Sequence, residues 1–156
     1  MRLLALLLLS VVPLCAEPKN FFVPQLPPWQ KMTRDSGLVF SGVVTHVQRS
    51  ATSTGTTQVT FRVENAIRGV RRGQVVTIHE WSGLWNIGER YAIGERVLLF
   101  LYPKSKLGLT SPVGGKLGRY AVDPAGRVLI SSPQVISPRP IPLKIVKAQI
   151  IKAVKE

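Results

Sequence analysis

The sequence predicts a mainly β fold in which short strands close into a barrel around one buried strand. The first indication is an unbroken apolar run at residues 97–101, bounded by a glycine and a proline. A run of this length with such flanks is typical of a strand buried on both faces. The second indication is the alternation of Val59, Phe61 and Val63 with polar residues, which is the period of a half-buried strand. The third is Asp123-Pro124-Ala125-Gly126, a strong turn signal between two short β-like segments.

The other elements can be placed in chain order around these three. Residues 29–36 suit a short helix that ends at Gly37, and Gly42 allows a bend or bulge within the strand that follows. Residues 69–73 form a glycine-bounded turn with exposed arginines. The predicted strands are residues 38–49, 59–64, 74–81, 97–102, 118–122 and 127–130.

The chain of 156 residues is long enough for one domain with its own core. We divide it into a signal peptide (1–16), a proline-rich lead-in with the short helix (17–37), a β-barrel domain (38–131), and a proline-rich linker with a C-terminal helix (132–156).

The C-terminal helix is predicted from apolar residues at helical spacing after Pro142. These residues are Leu143, Val146, Ile150 and Val154. Ile145 and Ile151 widen the apolar face, so we expect the helix to dock on the barrel. The alternative is a helix that lies on a membrane surface, because lysines accompany the apolar face.

The N-terminus has the anatomy of a secretory signal peptide. Arg2 is followed by a short apolar stretch and by Cys15–Ala16 before Glu17. Cleavage after Ala16 removes the one cysteine of the chain, leaving no disulfide and no transmembrane segment. We expect a secreted or periplasmic protein of a bacterial exporter. Lipid attachment at Cys15 is the alternative, which Leu14 disfavours.

The chain is strongly basic, with 21 Lys plus Arg against 8 Asp plus Glu. Loss of Arg2 with the signal peptide leaves 20 minus 8, a net charge of +12. Such an excess favours association with nucleic acid, acidic glycan, lipid headgroups or an acidic protein. The alternative is a solvated basic face without a ligand.

Three short motifs resemble the OB-fold domains of the tissue inhibitor of metalloproteases and netrin-module type, of which bacteria encode secreted versions. They are Leu38-Val39-Phe40-Ser41-Gly42-Val43-Val44, then Val59-Thr60-Phe61-Arg62-Val63-Glu64 with Gly69 after it, and Gly88-Glu89-Arg90-Tyr91 before an apolar strand. The resemblance covers roughly residues 30–131. It implies a five-stranded OB-like barrel, to which this chain adds a hairpin and the C-terminal helix. The animal inhibitors chelate the protease zinc through an N-terminal cysteine, whereas the mature chain here begins at Glu17. The resemblance therefore implies the fold and not the inhibitory activity.

The sequence offers no pattern typical of an enzyme, and we expect no catalytic residues, metal or cofactor. A metal site requires His46 and His79 on neighbouring strands with a carboxylate such as Glu95, and two ordinary strand histidines are the simpler interpretation. No nucleophile elbow is present. The carboxylates of Glu80, Glu89 and Glu95 lie near arginines that are expected to pair with them.

We therefore expect a non-catalytic interaction module whose partner is a protein, with a protease among the candidates. The predicted contact residues are Arg68, Arg71, Arg72, Trp81, Trp85 and Tyr91. The aromatic residues among them have a second interpretation, as a plug for one end of the barrel. The alternative function is binding of an anionic polymer, nucleic acid or acidic glycan, across a basic barrel face.

Overall fold

The computed structural model describes residues 29–49, 55–83, 91–130 and 139–155. Its elements in chain order are α1 (Trp29–Asp35), β1 (Leu38–Gln48), β2 (Thr56–Arg68), β3 (Val75–Trp81), β4 (Arg96–Leu101), a short 3-10 helix (Gly115–Gly118), β5 (Arg119–Val122), β6 (Arg127–Ile130), β7 (Arg139–Pro142) and α2 (Leu143–Lys155).

The strands form one antiparallel sheet in the order β3-β2-β1-β4-β5-β6-β7. The predicted mainly β fold with a C-terminal helix is therefore confirmed. Strands β3 and β7 are the two outer strands, and no strand pairing within the described ranges joins one end of the sheet to the other. A closed five-stranded barrel is not confirmed, because closure needs a pairing between strands that are far apart in this order.

Strand β4 is buried on both faces, as the apolar run predicts. Val97, Leu99 and Leu101 belong to one core cluster together with residues of β1, β2 and β3. Leu98 and Phe100 belong to a second cluster on the opposite face, which contains residues of both helices. All five side chains are fully shielded from solvent. The sheet therefore separates two cores, and β4 contributes to both of them.

Strands β1 and β2, which pair side by side, approach closely at Gly42. A Cβ atom placed there would lie 2.5 Å from the Arg62 carbonyl oxygen, closer than side-chain and backbone atoms approach. The pairing of β1 with β2 shifts register between Ser41 and Gly42, which agrees with the bulge that the sequence allows at this glycine. On β2, Val59, Phe61 and Val63 are buried and the residues between them are not, which confirms the predicted alternation.

The predicted hairpin between residues 118–122 and 127–130 is confirmed as β5 and β6. Asp123 organises its turn, because Oδ1 accepts a hydrogen bond from the Arg127 amide at 2.8 Å and Oδ2 accepts one from Arg127 Nε at 2.7 Å. The backbone hydrogen bond from Arg127 is the largest cause of the lowered pKa of the Asp123 carboxyl, and the side-chain bond lowers this pKa further.

The end of the predicted proline-rich linker is a strand, which corrects the prediction. Residues 139–142 form β7 and pair with β6, although two of these four residues are prolines. Leu143 N donates to Gly126 O at 3.0 Å, so the odd-numbered residues of this segment direct their backbone groups toward β6. Pro140 and Pro142 consequently face the outer edge, where a missing N–H costs no ladder bond.

Helix α2 docks on the sheet, as expected. Val146 and Ile150 are fully shielded and Leu143 is 8% exposed, all in the second core cluster. Ile145 and Ile151, which widen the apolar face in the sequence, are 44% and 38% exposed and do not take part in this docking. The face that contacts the sheet is narrower than the distribution of apolar residues in the sequence indicates. Val154 was predicted to share the buried stripe, and the placement of its side chain lies outside what the structure describes.

Candidate functional site

The two helices form a layer over one face of the sheet. Trp29 of α1 stacks on Phe100 of β4 with ring centroids 5.6 Å apart, and it meets Tyr120 of β5 at 5.3 Å. Burial of the Tyr120 phenol in this cluster raises its pKa to about 12. Helix α2 buries Val146 and Ile150 in the same cluster and contacts α1 directly. The side of each helix that faces the sheet is therefore packed in the second core cluster.

The outward faces of these helices are basic. Lys31 and Arg34 of α1 and Lys144 and Lys152 of α2 are exposed. We call these four residues the helical basic surface. Helix α2 contains four lysines and no acidic residue in its 13 positions. Because an α-helix rises 1.5 Å per residue, the Cα atoms of Lys144 and Lys152 lie about 12 Å apart along the axis.

The predicted arginines lie beside this layer. Arg68, at the end of β2, donates a hydrogen bond from Nη1 to the Thr33 carbonyl in the last turn of α1. Arg71 and Arg72 are exposed in the turn between β2 and β3, where the Arg71 amide donates to Gln74 Oε1 at 2.9 Å. This turn borders an open depression of about 710 Å³. Arg68 thus connects the exposed arginines of the turn to α1.

Three ion pairs join residues of the strands and of the turns before β4 and before β6. They are Arg96–Glu64 at 3.4 Å, Arg119–Glu95 at 2.8 Å and Arg127–Asp123 at 2.7 Å. The Glu80 side chain is fully shielded from solvent and lies on the face of the sheet that carries the first core cluster. Asp35, at the end of α1, is the acidic residue of the helical layer. The positive charge of the helical basic surface is consequently not neutralised by any of these three ion pairs.

The structure does not bring the predicted contact residues onto one surface. Arg71 and Arg72 precede β3, whereas Trp81 is its last residue and is 51% exposed. A strand of this length spans about 20 Å. Tyr91 is 5% exposed and packs edge-on against Phe61, with ring centroids 5.4 Å apart, so it is a core residue. Trp85 lies outside the described residues.

Tyr91 lies in a partly buried polar network that also contains Glu80, Arg119 and Glu95. Its hydroxyl donates to Glu80 Oε1 at 3.2 Å, and the Arg119 guanidinium lies 4.2 Å from the centroid of its ring. Arg119 Nη2 in turn donates to both Glu95 oxygens, at 2.8 and 2.9 Å. The expected pairing of Glu95 with an arginine is therefore observed, and Glu89 lies outside the described residues. Glu80 and Glu95 therefore each accept a hydrogen bond within this network.

The two histidines lie on strands that pair with β2 from opposite sides. His46 on β1 pairs in register with Thr60, and His79 on β3 pairs with Gln58. Within the described ranges, no group of three or more His, Cys, Asp or Glu side chains is arranged to hold a metal ion.

One set of exposed residues was not singled out from the sequence. Leu107 and Leu117, both between β4 and β5, are 84% and 63% exposed. Each stands in a Lys-Leu-Gly triplet, at residues 106–108 and 116–118. The repeated triplet is the sequence signal that identifies them, since a leucine between a lysine and a turn glycine has few neighbours to bury it.

Comparison with known proteins gives no match to a family model, to a characterised protein or to a solved structure. In the described part of the chain, no helix combines the length and the apolar content that crossing a bilayer requires.

Proposed function

We propose that the chain is a non-catalytic interaction module that binds an anionic polymer, such as nucleic acid or an acidic glycan. The observation that carries this proposal is the helical basic surface. Lys31 and Arg34 on one helix and Lys144 and Lys152 on its neighbour are exposed on a layer whose inner side is fixed to the core.

The electrostatic reason is the separation of charge in the fold. Glu64, Glu95 and Asp123 are paired with arginines on strands and turns. The basic residues of the helical layer therefore retain their charge toward solvent, and a polyanion that binds them releases its condensed counterions. Arg71 and Arg72 extend the same positive region beyond α1 through the link made by Arg68.

The binding test uses labelled duplex DNA and heparin as probes. The logarithm of the affinity should fall linearly with the logarithm of the salt concentration, with a slope of about −0.9 per DNA phosphate contacted. The variant Lys31→Glu/Arg34→Glu/Lys144→Glu/Lys152→Glu should bind more than about tenfold more weakly at low salt and show a shallower slope.

The matched control carries four charge reversals elsewhere: Arg62→Glu, Lys104→Glu, Lys106→Glu and Lys116→Glu. These side chains are also exposed, so both variants change the net charge by the same amount at exposed positions. Equal losses of affinity in the two variants would mean that net charge alone accounts for binding. This result would contradict a defined binding surface.

A protein partner, with a protease among the candidates, is the second function that we consider. The observation that favours it is the open depression beside the arginine turn, which Gly69, Val70, Arg71, Arg72 and Gln74 line. The variants Arg71→Ala and Val70→Ser should weaken binding at this depression. The affinity should change little with salt if apolar contacts dominate. A steep loss of affinity with salt would instead favour the polyanion.

We propose further that β1 to β5 form an OB-like barrel of the type found in tissue inhibitors of metalloproteases and netrin modules. The order β3-β2-β1-β4-β5 supports this proposal, as does a hydrogen bond of 2.9 Å from Thr110 N, between β4 and β5, to His79 O on β3. Slow amide exchange along the outer edge of β3 would support closure. Fast exchange at Thr77 and His79 would contradict it.

Export is also a proposal, resting on the charged, apolar and small-residue pattern of residues 1–16. Expression of the complete chain in a bacterium, followed by fractionation and N-terminal sequencing, tests it. A mature chain that starts at Glu17 in the periplasm or medium is expected. A product that keeps Arg2, or one that is lipidated at Cys15, would contradict the cleavage site.

A further inference from the structure

The connection between β4 and β5 (residues 102–118) exposes two leucines. Leu107 is 84% exposed and Leu117 is 63% exposed, more than Ile145 and Ile151 of α2. A single exposed leucine needs no explanation. Two leucines in matching triplets on one connection, each preceded by an exposed lysine, form a pattern that does.

Leu107 is held out by an ordered turn. Ser105 N donates to Leu109 O at 2.8 Å, and Gly108 N donates to Ser105 O at 2.9 Å, so residues 105–109 form a closed tip. The base of this excursion is fixed by the bridge between Leu101 and Pro112 and by the bond from Thr110 N to His79 O. The exposure of Leu107 is therefore a property of the fold.

Leu117 is held out by the short 3-10 helix. Gly118 lies so close to the chain that a Cβ atom there would approach the Val113 carbonyl oxygen to 2.5 Å. Its neighbour Leu117 is on the opposite, solvent side of this turn, with its amide bonded to Gly114 O at 3.4 Å. Gly118 thus lets the backbone pack tightly, and Gly114 supplies the left-handed conformation (φ 67°) that starts the turn, while the leucine side chain remains exposed.

The charges around the leucines select the partner. Lys104, Lys106 and Lys116 are exposed, and residues 102–118 contain no Asp or Glu. Exposed leucines on a connection whose charged residues are all lysines are complementary to the headgroup region of an anionic bilayer, where leucine reaches the acyl boundary and lysine meets the headgroup phosphate.

We propose that the β4–β5 connection attaches the protein to a bilayer with anionic headgroups by inserting Leu107 and Leu117 at the interface. This attachment uses a surface other than the helical basic surface. It is independent of the proposed polyanion binding, and the two can be lost separately.

Vesicle co-sedimentation of the chain that begins at Glu17 tests the proposal, because residues 1–16 are mainly apolar and would bind vesicles themselves. Mixed phosphatidylglycerol and phosphatidylcholine vesicles are compared with pure phosphatidylcholine vesicles. We expect binding to the anionic vesicles only. The variant Leu107→Ser/Leu117→Ser should lower the partition coefficient by about tenfold or more, because the favourable free energy of transferring each leucine side chain out of water is lost. The same variant should bind heparin and DNA as the unaltered chain does.

The control variant is Ile145→Ser/Ile151→Ser, which removes the exposed isoleucines of α2 and should leave vesicle binding unchanged. A loss equal to that of the leucine variant would place the membrane contact on α2 and overturn the proposal. Vesicle binding that survives in the leucine variant but fails in Lys104→Glu/Lys106→Glu/Lys116→Glu would indicate attraction without insertion and would also overturn it. The absence of any binding to anionic vesicles would do the same.

Insertion has its own spectroscopic readout. The chain that begins at Glu17 contains no cysteine, so a label can be placed at Leu107→Cys alone. An environment-sensitive fluorophore at this position should shift its emission to the blue on anionic vesicles. A label that remains in an aqueous environment while the protein sediments with the vesicles would contradict insertion.

Discussion

The hydroxyl of Tyr91 donates a hydrogen bond to Glu80 Oε1 at 3.2 Å, and both side chains are shielded from solvent, at 5% and 0% exposure. Arg119 lies over the same aromatic ring at 4.2 Å and pairs with Glu95. Tyr91 thus lies between a buried carboxylate and a cation, and its polar and aromatic parts each serve one of them.

Tyr91→Phe should destabilise the protein, because it keeps the ring and removes a donor from a buried carboxyl group. We expect the free energy of unfolding to fall by about 1–3 kcal/mol. Urea unfolding followed by far-ultraviolet circular dichroism measures this change. Tyr102→Phe is the control, since Tyr102 is 40% exposed. Equal effects of the two variants would refute a special role for the buried hydroxyl.

Substitutions in β4 should be costly on both faces. Leu99→Ala removes a side chain from the first core and should cost about 2–5 kcal/mol of unfolding free energy; Phe100→Ala, in the second core, should cost about 3–5 kcal/mol. Leu107→Ala should change it by about 0.5 kcal/mol or less, because the side chain is exposed. Thermal or chemical unfolding of the three variants under one condition is the measurement. A mild effect at either buried position would mean that this face of β4 is open in solution.

Gly42→Ala should destabilise the pairing of β1 with β2. The added methyl would lie 2.5 Å from the Arg62 carbonyl oxygen, so one strand must move away. We expect a loss of about 1–3 kcal/mol and a change in register that is visible in amide exchange. Gly94→Ala is the comparison, because nothing lies within 4 Å of its Cβ position and its positive φ is the reason for any cost. Amide exchange along β1 that matches the unaltered chain would contradict the clash.

The turn at Asp123 predicts an acid-dependent contribution to stability. The pKa of its carboxyl is lowered in the fold, first by the backbone hydrogen bond from Arg127. A lowered pKa means that the stabilisation is present above the unfolded value of about 3.9 and is lost as the pH falls through the folded value.

Asp123→Asn should therefore be less stable than the unaltered chain at neutral pH, and the difference should shrink below about pH 4. Urea unfolding of both chains across this pH range measures it. A difference that stays constant with pH would show that the charge of Asp123 does not contribute. Asp35→Asn is a suitable control, since this exposed residue takes no part in the described ion pairs.

Several features of this fold can be predicted from the sequence because they are local. The apolar run in β4, the alternation in β2 and the Asp-Pro-Ala-Gly turn each express a rule that acts over a few residues. The spacing of Leu143, Val146 and Ile150 likewise identifies the face of α2 that is buried.

The features that local patterns do not predict depend on tertiary partners. Arg139–Pro142 has the composition of a linker, and it is a strand only because β6 offers an edge to pair with. Tyr91 follows a charged segment, which is typical of a surface residue, yet its ring packs against Phe61 and its hydroxyl bonds to Glu80. The helical basic surface combines residues of α1 and α2, which contact each other although more than 100 residues separate them in the chain.

The prolines of β7 also affect how the protein can associate with itself. Pro140 and Pro142 direct their ring nitrogens to the outer margin of the sheet, so this margin offers no amide hydrogen to an incoming extended chain. Growth of a fibril by edge-to-edge addition is consequently blocked on that side. Replacing both prolines with valine would supply the missing donors and should shorten the lag before the protein forms thioflavin-positive aggregates.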